Sequence, residues 1–174
     1  MKIQEVRIIE VQNRPVLKIK KTPLETALNI ATLLLFIGSI LYLLMEWSSL
    51  PNRVPMHYNF FGEIDKWGSK GIIVLHPIIG AVLWISLTVL EKFPHVYNYI
   101  NLTEKNIEQQ YKNVRIMINV IKNEILIYIS YSIWKDIKAA YGHDITFGTW
   151  DLPLFLIVLF SSISFFIVRS IRLR

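Results

Sequence analysis

The chain has 174 residues, of which 53% are hydrophobic, and it carries a formal net charge of +6. Apolar residues are concentrated in charge-free runs of about 18 residues or more, which predict membrane spans and are rare in soluble folds. The absence of cysteine excludes disulfides, thiolate metal sites and cysteine nucleophiles. Basic segments that flank membrane spans explain the positive charge, so the lipid bilayer is an expected partner and nucleic acid is not.

Residues 1–21 form a basic segment with six Lys and Arg residues, which precedes the first apolar run. Two stretches of β-like composition, EVRIIEV and VLKIK, are separated by QNRP, which suits a turn. The segment therefore predicts a small β-hairpin, which we expect to lie in the cytoplasm.

The first helix is predicted from a start signal followed by a long apolar run. Thr22 can cap the helix, Pro23 suits its first position, and Glu25 can complete a capping box. Residues 27–45 then carry no charge. At about 1.5 Å per residue this run is roughly 28 Å long, close to the hydrocarbon thickness of about 30 Å. It predicts a membrane span over residues 24–47.

Three further spans complete the prediction of an all-α integral membrane protein, with one four-helix membrane domain over residues 22–174. The second apolar run predicts a span over residues 71–91. A third helix is expected to begin near Thr103 and to cross the membrane over residues 115–137, and the last span covers residues 151–169. The third run is less apolar than the others, so a soluble amphipathic helix stays open as an alternative there.

Polar side chains in the third span are candidate functional groups, because charges inside a bilayer are costly. The intramembrane candidates are Asn119, Lys122 and Glu124. Lys122 lies about two turns from the inner end of the span and can extend its amine to the membrane surface. For Glu124 we expect a hydrogen-bond partner on another helix or a polar cavity, with a proton or ion role as the alternative.

The distribution of Lys and Arg predicts the orientation of the helices. Thirteen of these residues fall in the N-terminal segment, residues 91–115 and the C-terminus, against five in the other two loops. The positive-inside rule then places both termini in the cytoplasm and the loop 48–70 outside a bacterial inner membrane. Four aromatic residues fall at the same outer interface, as an aromatic belt does: Trp47, Trp67, Trp134 and Trp150.

The loop over residues 48–70 is expected to be short and ordered. Pro51 and Pro55 each fix φ, and Gly62 permits a positive φ. His57 and Asp65 can then meet across a tight turn. Their contact is interpreted first as a structural hydrogen bond, with ligand recognition and a catalytic or metal site as the alternatives.

A metal site is considered because several potential ligands share the outer face, namely His57, His76, His143 and Asp65. No H-E-x-x-H or comparable pair at helical spacing is present, so no metal and no cofactor are predicted. Motifs of soluble enzymes, such as G-x-S-x-G and the P-loop, are also absent from the sequence. A non-enzymatic role is therefore favoured, and no catalytic residues are assigned.

The loop carries a spaced motif of twelve positions: Leu50, Pro51, Val54, Pro55, His57, Tyr58, Asn59, Gly62, Asp65, Trp67, Ser69 and Lys70. With this motif the stretch resembles the bacterial membrane family called domain of unknown function 1648, in which it lies between two spans. The segment FPHVYNY in the next loop looks like a further feature of that family, and the resemblance extends from about Thr22 to the C-terminus. It implies a ligand-binding or motif role for Pro51, Pro55, His57, Asn59, Gly62, Asp65, Trp67 and Lys70.

The resemblance also implies a class of function. The best understood relatives are SdpI-type immunity proteins, which protect a cell from an exported peptide toxin and can hold a transcriptional repressor at the membrane. We therefore expect an immunity-like or sensory protein, with a peptide toxin or an envelope component as its outer ligand and a cytoplasmic regulator as a further partner. Two alternatives stay open: a membrane-embedded enzyme, with or without a metal, and a transporter-like or accessory subunit that uses Lys122 and Glu124.

Overall fold

The computed structural model describes residues 14–143 and 150–173. Four α-helices and one antiparallel β-hairpin make up this part of the chain. By length and composition, all four helices can cross a membrane. In chain order the elements are α1 (Pro23–Glu46), β1 (Arg53–Tyr58), β2 (Ile64–Ser69), α2 (Leu75–Leu90), α3 (Ile107–Ala140) and α4 (Asp151–Arg172), with short 3-10 turns at Lys70–Val74 and Pro94–Val96.

The start of α1 is formed as its sequence predicts. The Thr22 hydroxyl accepts a hydrogen bond from the Glu25 N–H at 3.2 Å, and the Glu25 carboxylate accepts one from the Thr22 N–H at 2.6 Å. Pro23 occupies the first helical position. The same carboxylate accepts two hydrogen bonds from Arg115 of α3, at 2.9 and 3.0 Å. The cap therefore also joins α1 to α3.

The central helix is α3, since it packs against α1, α2, α4 and β1. It has 34 residues and extends beyond the predicted span 115–137 at both ends. Its polar stripe faces the interior of the bundle, where five polar side chains of the stripe are buried: Arg115, Asn119, Lys122, Asn123 and Ser130. An amphipathic helix on the surface of a soluble protein would present this stripe to water, and α3 does the reverse.

The apolar core lies where α1 and α3 meet the hairpin, and it includes Phe36, Val54 and Ile129. Helix α2 approaches this core closely at Gly80. A Cβ atom at that position would lie 3.0 Å from the Phe36 ring and 3.2 Å from the Ile129 side chain. Glycine therefore allows α1, α2 and α3 to pack together at one level of the bundle.

The alternating direction of the helices gives the molecule two ends. At the hairpin end, the C-terminal turns of α1 and α3 meet the β-hairpin and the start of α4. At the termini end, residues 14–22 and the last turns of α4 meet the start of α3. Asn106, Gln110 and Asn113 each donate a hydrogen bond to a backbone carbonyl near the C-terminus of α4. Of these three carbonyl groups, that of Leu173 follows the last helical residue, so the hydrogen bond from Asn106 satisfies a group that the helix itself leaves unpaired.

Two expectations about β-structure are corrected. The loop over residues 48–70 is more than an ordered connection, because it contains the two paired strands. For the hairpin predicted near the N-terminus, the first stretch lies outside the described residues, and the described residues 16–20 form no strand. The carbonyl groups of Ile19 and Lys20 accept hydrogen bonds from Arg115 at 2.7 and 2.9 Å, so these groups are occupied by α3.

Candidate functional site

The turn of the β-hairpin is built around Asn59. Its side-chain oxygen accepts hydrogen bonds from the N–H groups of Phe61 at 2.9 Å and Glu63 at 3.0 Å, and its amide donates to the Glu63 carboxylate at 2.9 Å. Gly62 has a φ of 76°, a conformation that side chains disfavour. These two motif residues therefore close the hairpin.

His57 and Asp65 are brought together across the two strands, as expected. The distance between His57 Nδ1 and Asp65 Oδ1 is 2.6 Å, and the two side chains are 64% and 43% exposed. An exposed pair of this kind stabilises a protein by about 0.2–1 kcal/mol. The contact therefore fixes the hairpin less strongly than a buried hydrogen bond would.

The remaining motif residues attach the hairpin to the helices. Pro55 is buried and lies opposite Trp67 on the neighbouring strand. The Lys70 amine donates to the Trp47 carbonyl at 3.2 Å and lies 5.2 Å from the centroid of the same residue's ring. Pro51 is exposed in the connection between α1 and β1. These motif residues therefore stabilise the hairpin or its attachment to the rest of the protein.

A polar network that the sequence analysis missed fastens the hairpin to α3. The Tyr58 hydroxyl donates a hydrogen bond to Asp136 Oδ1 at 2.7 Å, and His76 Nε2 lies 3.7 Å from Asp136 Oδ2. Burial, and then the Asp136 carboxylate, raise the pKa of Tyr58 well above its usual range, so the phenol remains a donor. Asp136 follows the buried Ile129 and Ile133 by seven and three residues. Helical periodicity therefore indicates that it lies on the inner face of α3.

An ion pair beside this network joins α3 to α4. Lys135 Nζ lies 3.0 Å from Asp151 Oδ2, and the Tyr131 hydroxyl donates to Asp151 Oδ1 at 3.0 Å. The Lys135 amine also lies 3.9 Å from the centroid of the Tyr58 ring. Both charged side chains are 9% exposed. Lys135 of α3 therefore contacts both α4, through Asp151, and the hairpin, through the ring of Tyr58.

A chamber of about 430 Å³ lies between the hairpin and the beginning of α4. The hairpin contributes His57 and Phe60 to its wall, and the helices contribute Lys135, Asp151 and Leu156. Cavities that hold small ligands commonly have volumes of about 300–1,000 Å³. Since charged and apolar groups face the same space, the chamber suits a ligand that has both kinds of group.

An apolar cavity of about 310 Å³, open to the surface between α3 and α4, lies beside the chamber. Tyr128 and Asp151 line both spaces. The Tyr128 ring stacks on Phe155 of α4, with 4.2 Å between the ring centroids. At depth, Glu124 accepts a hydrogen bond from the Ser162 hydroxyl at 2.6 Å, which confirms the expected partner on another helix. We call this cavity the apolar arm, lined by Glu124, Ile127, Tyr128, Tyr131, Asp151, Leu154, Phe155 and Val158.

Asn119 and Lys122 belong to a separate buried cluster toward the termini end. Lys122 Nζ lies 2.6 Å from the Glu91 carboxylate and donates a hydrogen bond to the Thr88 hydroxyl at 2.9 Å. Asn119 donates to Glu91 at 2.9 Å, and Lys21 forms an ion pair with the same carboxylate at 3.0 Å. Lys122 is 1% exposed, so the expectation that its amine reaches the surface is wrong. The Glu91 carboxylate pairs with the Lys122 amine inside the bundle, so the amine does not need to reach water.

The metal-ligand candidates lie in different places. His57 contacts Asp65 on the exposed side of the hairpin, while His76 lies beneath it at the start of α2, and His143 follows the end of α3. Among the described residues, no group of three or more His, Asp or Glu side chains is placed to hold a metal ion.

Comparison with known protein families identifies the segment of the chain that contains the motif. Residues 34–81 match the family model of a domain of unknown function, DUF1648. The matched segment runs from α1 through the hairpin into α2, so the predicted family resemblance is confirmed for this segment. No curated protein and no solved structure matches the chain significantly.

Proposed function

We propose that this chain, with its DUF1648 segment, is a membrane protein that recognises a ligand in the chamber beneath its hairpin. The observation that carries the proposal is the chamber itself. The hairpin that contains the family motif forms one wall, and the pair of Lys135 and Asp151 lies in the other. The ligand is an exported peptide or an envelope component, and the role is immunity-like or sensory, as in the SdpI-type proteins.

The hairpin end faces the outside of a bacterial cytoplasmic membrane in this proposal. The supporting observation is that the described parts of the segments rich in Lys and Arg, residues 14–22, residues 91–115 and the end of α4, lie at the termini end. Single cysteines test it directly, because the chain has none of its own. A cysteine at the exposed Asn52 should react with an impermeant thiol reagent in intact cells, and one at the exposed Glu104 should not. The reverse pattern would move the chamber to the cytoplasm.

A cytoplasmic regulator, if the chain has one, would bind at the termini end. Helix α3 contributes side chains to both ends, Asp136 at one and Arg115 at the other, and so connects them physically. A ligand that shifts α3 in the chamber would then alter the contacts of residues 14–22. This connection favours a sensory form of the proposal.

The two alternative functions have weaker support. A metal-dependent enzyme needs a ligand set that does not converge among the described residues. A transporter-like role would use Lys122 and Glu124, but these two side chains contact different parts of the bundle and do not form one site. Lys122 contacts Glu91 after α2, whereas Glu124 contacts Ser162 of α4.

Photocrosslinking tests whether a ligand occupies the chamber. The photoreactive residue p-benzoylphenylalanine replaces either Phe60, which lines the chamber, or its neighbour Phe61 at the tip of the turn. Both side chains are mainly exposed, at 83% and 64%, so the second position is a matched control. After irradiation of intact cells, mass spectrometry of the purified protein should show an adduct at position 60 that is absent at position 61.

A second variant determines whether the adduct comes from the chamber. Leu156→Trp fills the chamber from α4, whereas Ile157→Trp places the same ring about 100° around that helix, at an exposed residue that does not line the chamber. The adduct at Phe60 should disappear with the first substitution and persist with the second. The proposal fails if both positions of the photoreactive residue give the same adducts, or if filling the chamber changes nothing.

A further inference from the structure

The turn of the β-hairpin presents two phenylalanine side chains at its tip. The Gly62 N–H donates a hydrogen bond to the Asn59 carbonyl at 3.0 Å, so Phe60 and Phe61 occupy the two central positions of a β-turn. Glycine, proline and small polar residues dominate such positions. Both rings are mainly exposed, and they contact each other edge to face with 5.7 Å between their centroids. The turn therefore carries an apolar projection where a turn in water carries polar residues.

The tip lies beside the first turns of α4. Phe60 lines the same chamber as Leu152 and Leu156. Residues 152–168 of α4 carry no charge, and at about 1.5 Å per residue this run is roughly 25 Å long. A run of that length fits within hydrocarbon about 30 Å thick, so a spanning α4 would be immersed from Leu152 onward. The shared chamber therefore brings the tip to the edge of the hydrocarbon and not into the water above it.

The backbone of the turn is suited to a region with little water. The N–H groups of Asn59 and Gly62 donate to the carbonyls of Glu63 and Asn59, at 2.9 and 3.0 Å. The Asn59 side-chain oxygen accepts hydrogen bonds from the N–H groups of Phe61 and Glu63. Where water is scarce, an unpaired backbone group costs free energy, so segments that contact lipid pair these groups internally. Four N–H groups of this turn meet that condition within the turn itself.

We propose that Phe60 and Phe61 enter the bilayer leaflet at the hairpin end, at the boundary between lipid head groups and hydrocarbon. Aromatic rings of membrane proteins and of membrane-surface helices are concentrated at this boundary. Lipid is favoured over a protein partner because the tip adjoins the exposed apolar surface of α4 at Leu152, and because the four paired N–H groups have no bond to offer another chain. The inference rests on the membrane insertion in the proposed function, and not on recognition of a ligand.

Lipid contact at the tip gives the hairpin a second attachment. Its base is held on α3 by the hydrogen bond from Tyr58 to Asp136. The tip is held by the surrounding lipid. Because the hairpin forms one wall of the chamber, the bilayer then helps to keep that wall in place.

Nitroxide labels on single cysteines test the depth of the tip, because the chain has no cysteine of its own. The purified protein is placed in phosphatidylcholine nanodiscs at one copy per disc, which excludes a second copy as the partner. Molecular oxygen dissolves in hydrocarbon, whereas the nickel complex NiEDDA stays in water. A label at Phe61 should lose most of its collisions with NiEDDA and keep those with oxygen, as should a label at the exposed Ile157 of α4. Lys66, exposed on β2 of the same hairpin, is the matched control, and a label there should collide freely with NiEDDA.

A second measurement keeps an aromatic ring at the tip. The photoreactive residue p-benzoylphenylalanine replaces Phe61, and the protein is irradiated in the same nanodiscs. Mass spectrometry should show an adduct with the mass of phosphatidylcholine. The same residue at Lys66 should give no such adduct.

The outcomes separate this inference from the proposed function. The inference is wrong if a label at Phe61 collides with NiEDDA as freely as one at Lys66, or if the photoreactive residue at Phe61 captures no lipid. Free collisions at Ile157 as well would overturn the membrane insertion on which both proposals rest. In intact cells, lipid adducts shared by positions 60 and 61 support this inference, whereas only an adduct specific to position 60 bears on the chamber. Lipid adducts alone at both positions would therefore uphold the inference and count against recognition of a ligand.

Discussion

Replacing Tyr58 with Phe removes the hydroxyl that joins the hairpin to α3 and leaves Asp136 Oδ1 buried without its donor. A hydrogen bond to a charged group contributes about 1.5–3 kcal/mol to stability. In a protein of 150–250 residues, each kcal/mol shifts the thermal midpoint by about 2–4 °C, so Tyr58→Phe should lower it by roughly 3–12 °C. Thermal unfolding in detergent measures the change.

Tyr42 provides a matched control for this substitution. Its hydroxyl is buried and has no hydrogen-bond partner within residues 14–143 and 150–173. Tyr42→Phe should therefore leave the midpoint unchanged or raise it. Amide hydrogen exchange should be faster in the hairpin of Tyr58→Phe and unaltered in that of the control. Equal midpoints and equal exchange in the two variants would refute the inference that this contact holds the hairpin on α3.

The same contact predicts a dependence on pH. The pKa of Tyr58 is raised in the folded protein, whereas a phenol in the unfolded chain ionises near its ordinary pKa of about 10. Above that pH the unfolded chain binds fewer protons than the folded one, so the stability that this group contributes falls as the pH rises. Tyr58→Phe lacks the group, and the difference in stability between the two proteins should narrow above pH ~10. A difference that stays constant across this range contradicts the prediction.

Two further predictions concern the hairpin pair and the helix contact at Gly80. Because the pair of His57 and Asp65 is exposed, each single substitution to Ala should lower the free energy of unfolding by at most about 1 kcal/mol. The double variant should lose little more than either single one, because both substitutions remove the same interaction. Additive losses would exclude direct coupling. Gly80→Ala should destabilise the bundle by forcing the Phe36 ring aside, whereas Gly38→Ala, with no atom within 4 Å of the new Cβ, should be neutral or stabilising by up to about 1 kcal/mol. Equal midpoints for the two glycine variants in detergent would contradict the close packing of α2.

The helices could be predicted because each depends on local signals. The capping box at Thr22 and the charge-free runs act within a few residues, and the structure forms them where the sequence indicates. The strands gave no such signal. Pro55 interrupts β1, and the pairing shifts register on both sides of His57, so alternation of apolar and polar residues is lost. The turn residues Asn59 and Gly62 are the features that could have indicated a hairpin.

The buried ion pairs could not be predicted from local patterns. Glu91 lies just after α2, at the start of a polar stretch of sequence, yet it is 2% exposed and binds Lys122, 31 positions later. A sequence alone shows that an intramembrane lysine needs a partner, but not which carboxylate the packing of helices brings to it. The same limit applies to the pairing of Lys135 with Asp151.

Helix α3 is the least apolar of the four helices, and its central position explains how the bundle accommodates its polar side chains. The same packing bears on where a ligand could bind. A helix surrounded by other helices is shielded from lipid, so its polar side chains can pair across interfaces, which helps to hold helices together where the hydrophobic effect does not. Toward the termini end, Arg115 forms a buried ion pair with Glu25 of α1, and Lys122 forms one with Glu91 after α2. The core around Phe36 fills the space above them. Helix α4 is held at the Lys135–Asp151 pair, at the Glu124–Ser162 contact and by the amides near its C-terminus, with a cavity between the first two. A ligand can therefore occupy the interface of α3 and α4 without opening the apolar core, and this is the interface on which the hairpin of the family motif lies.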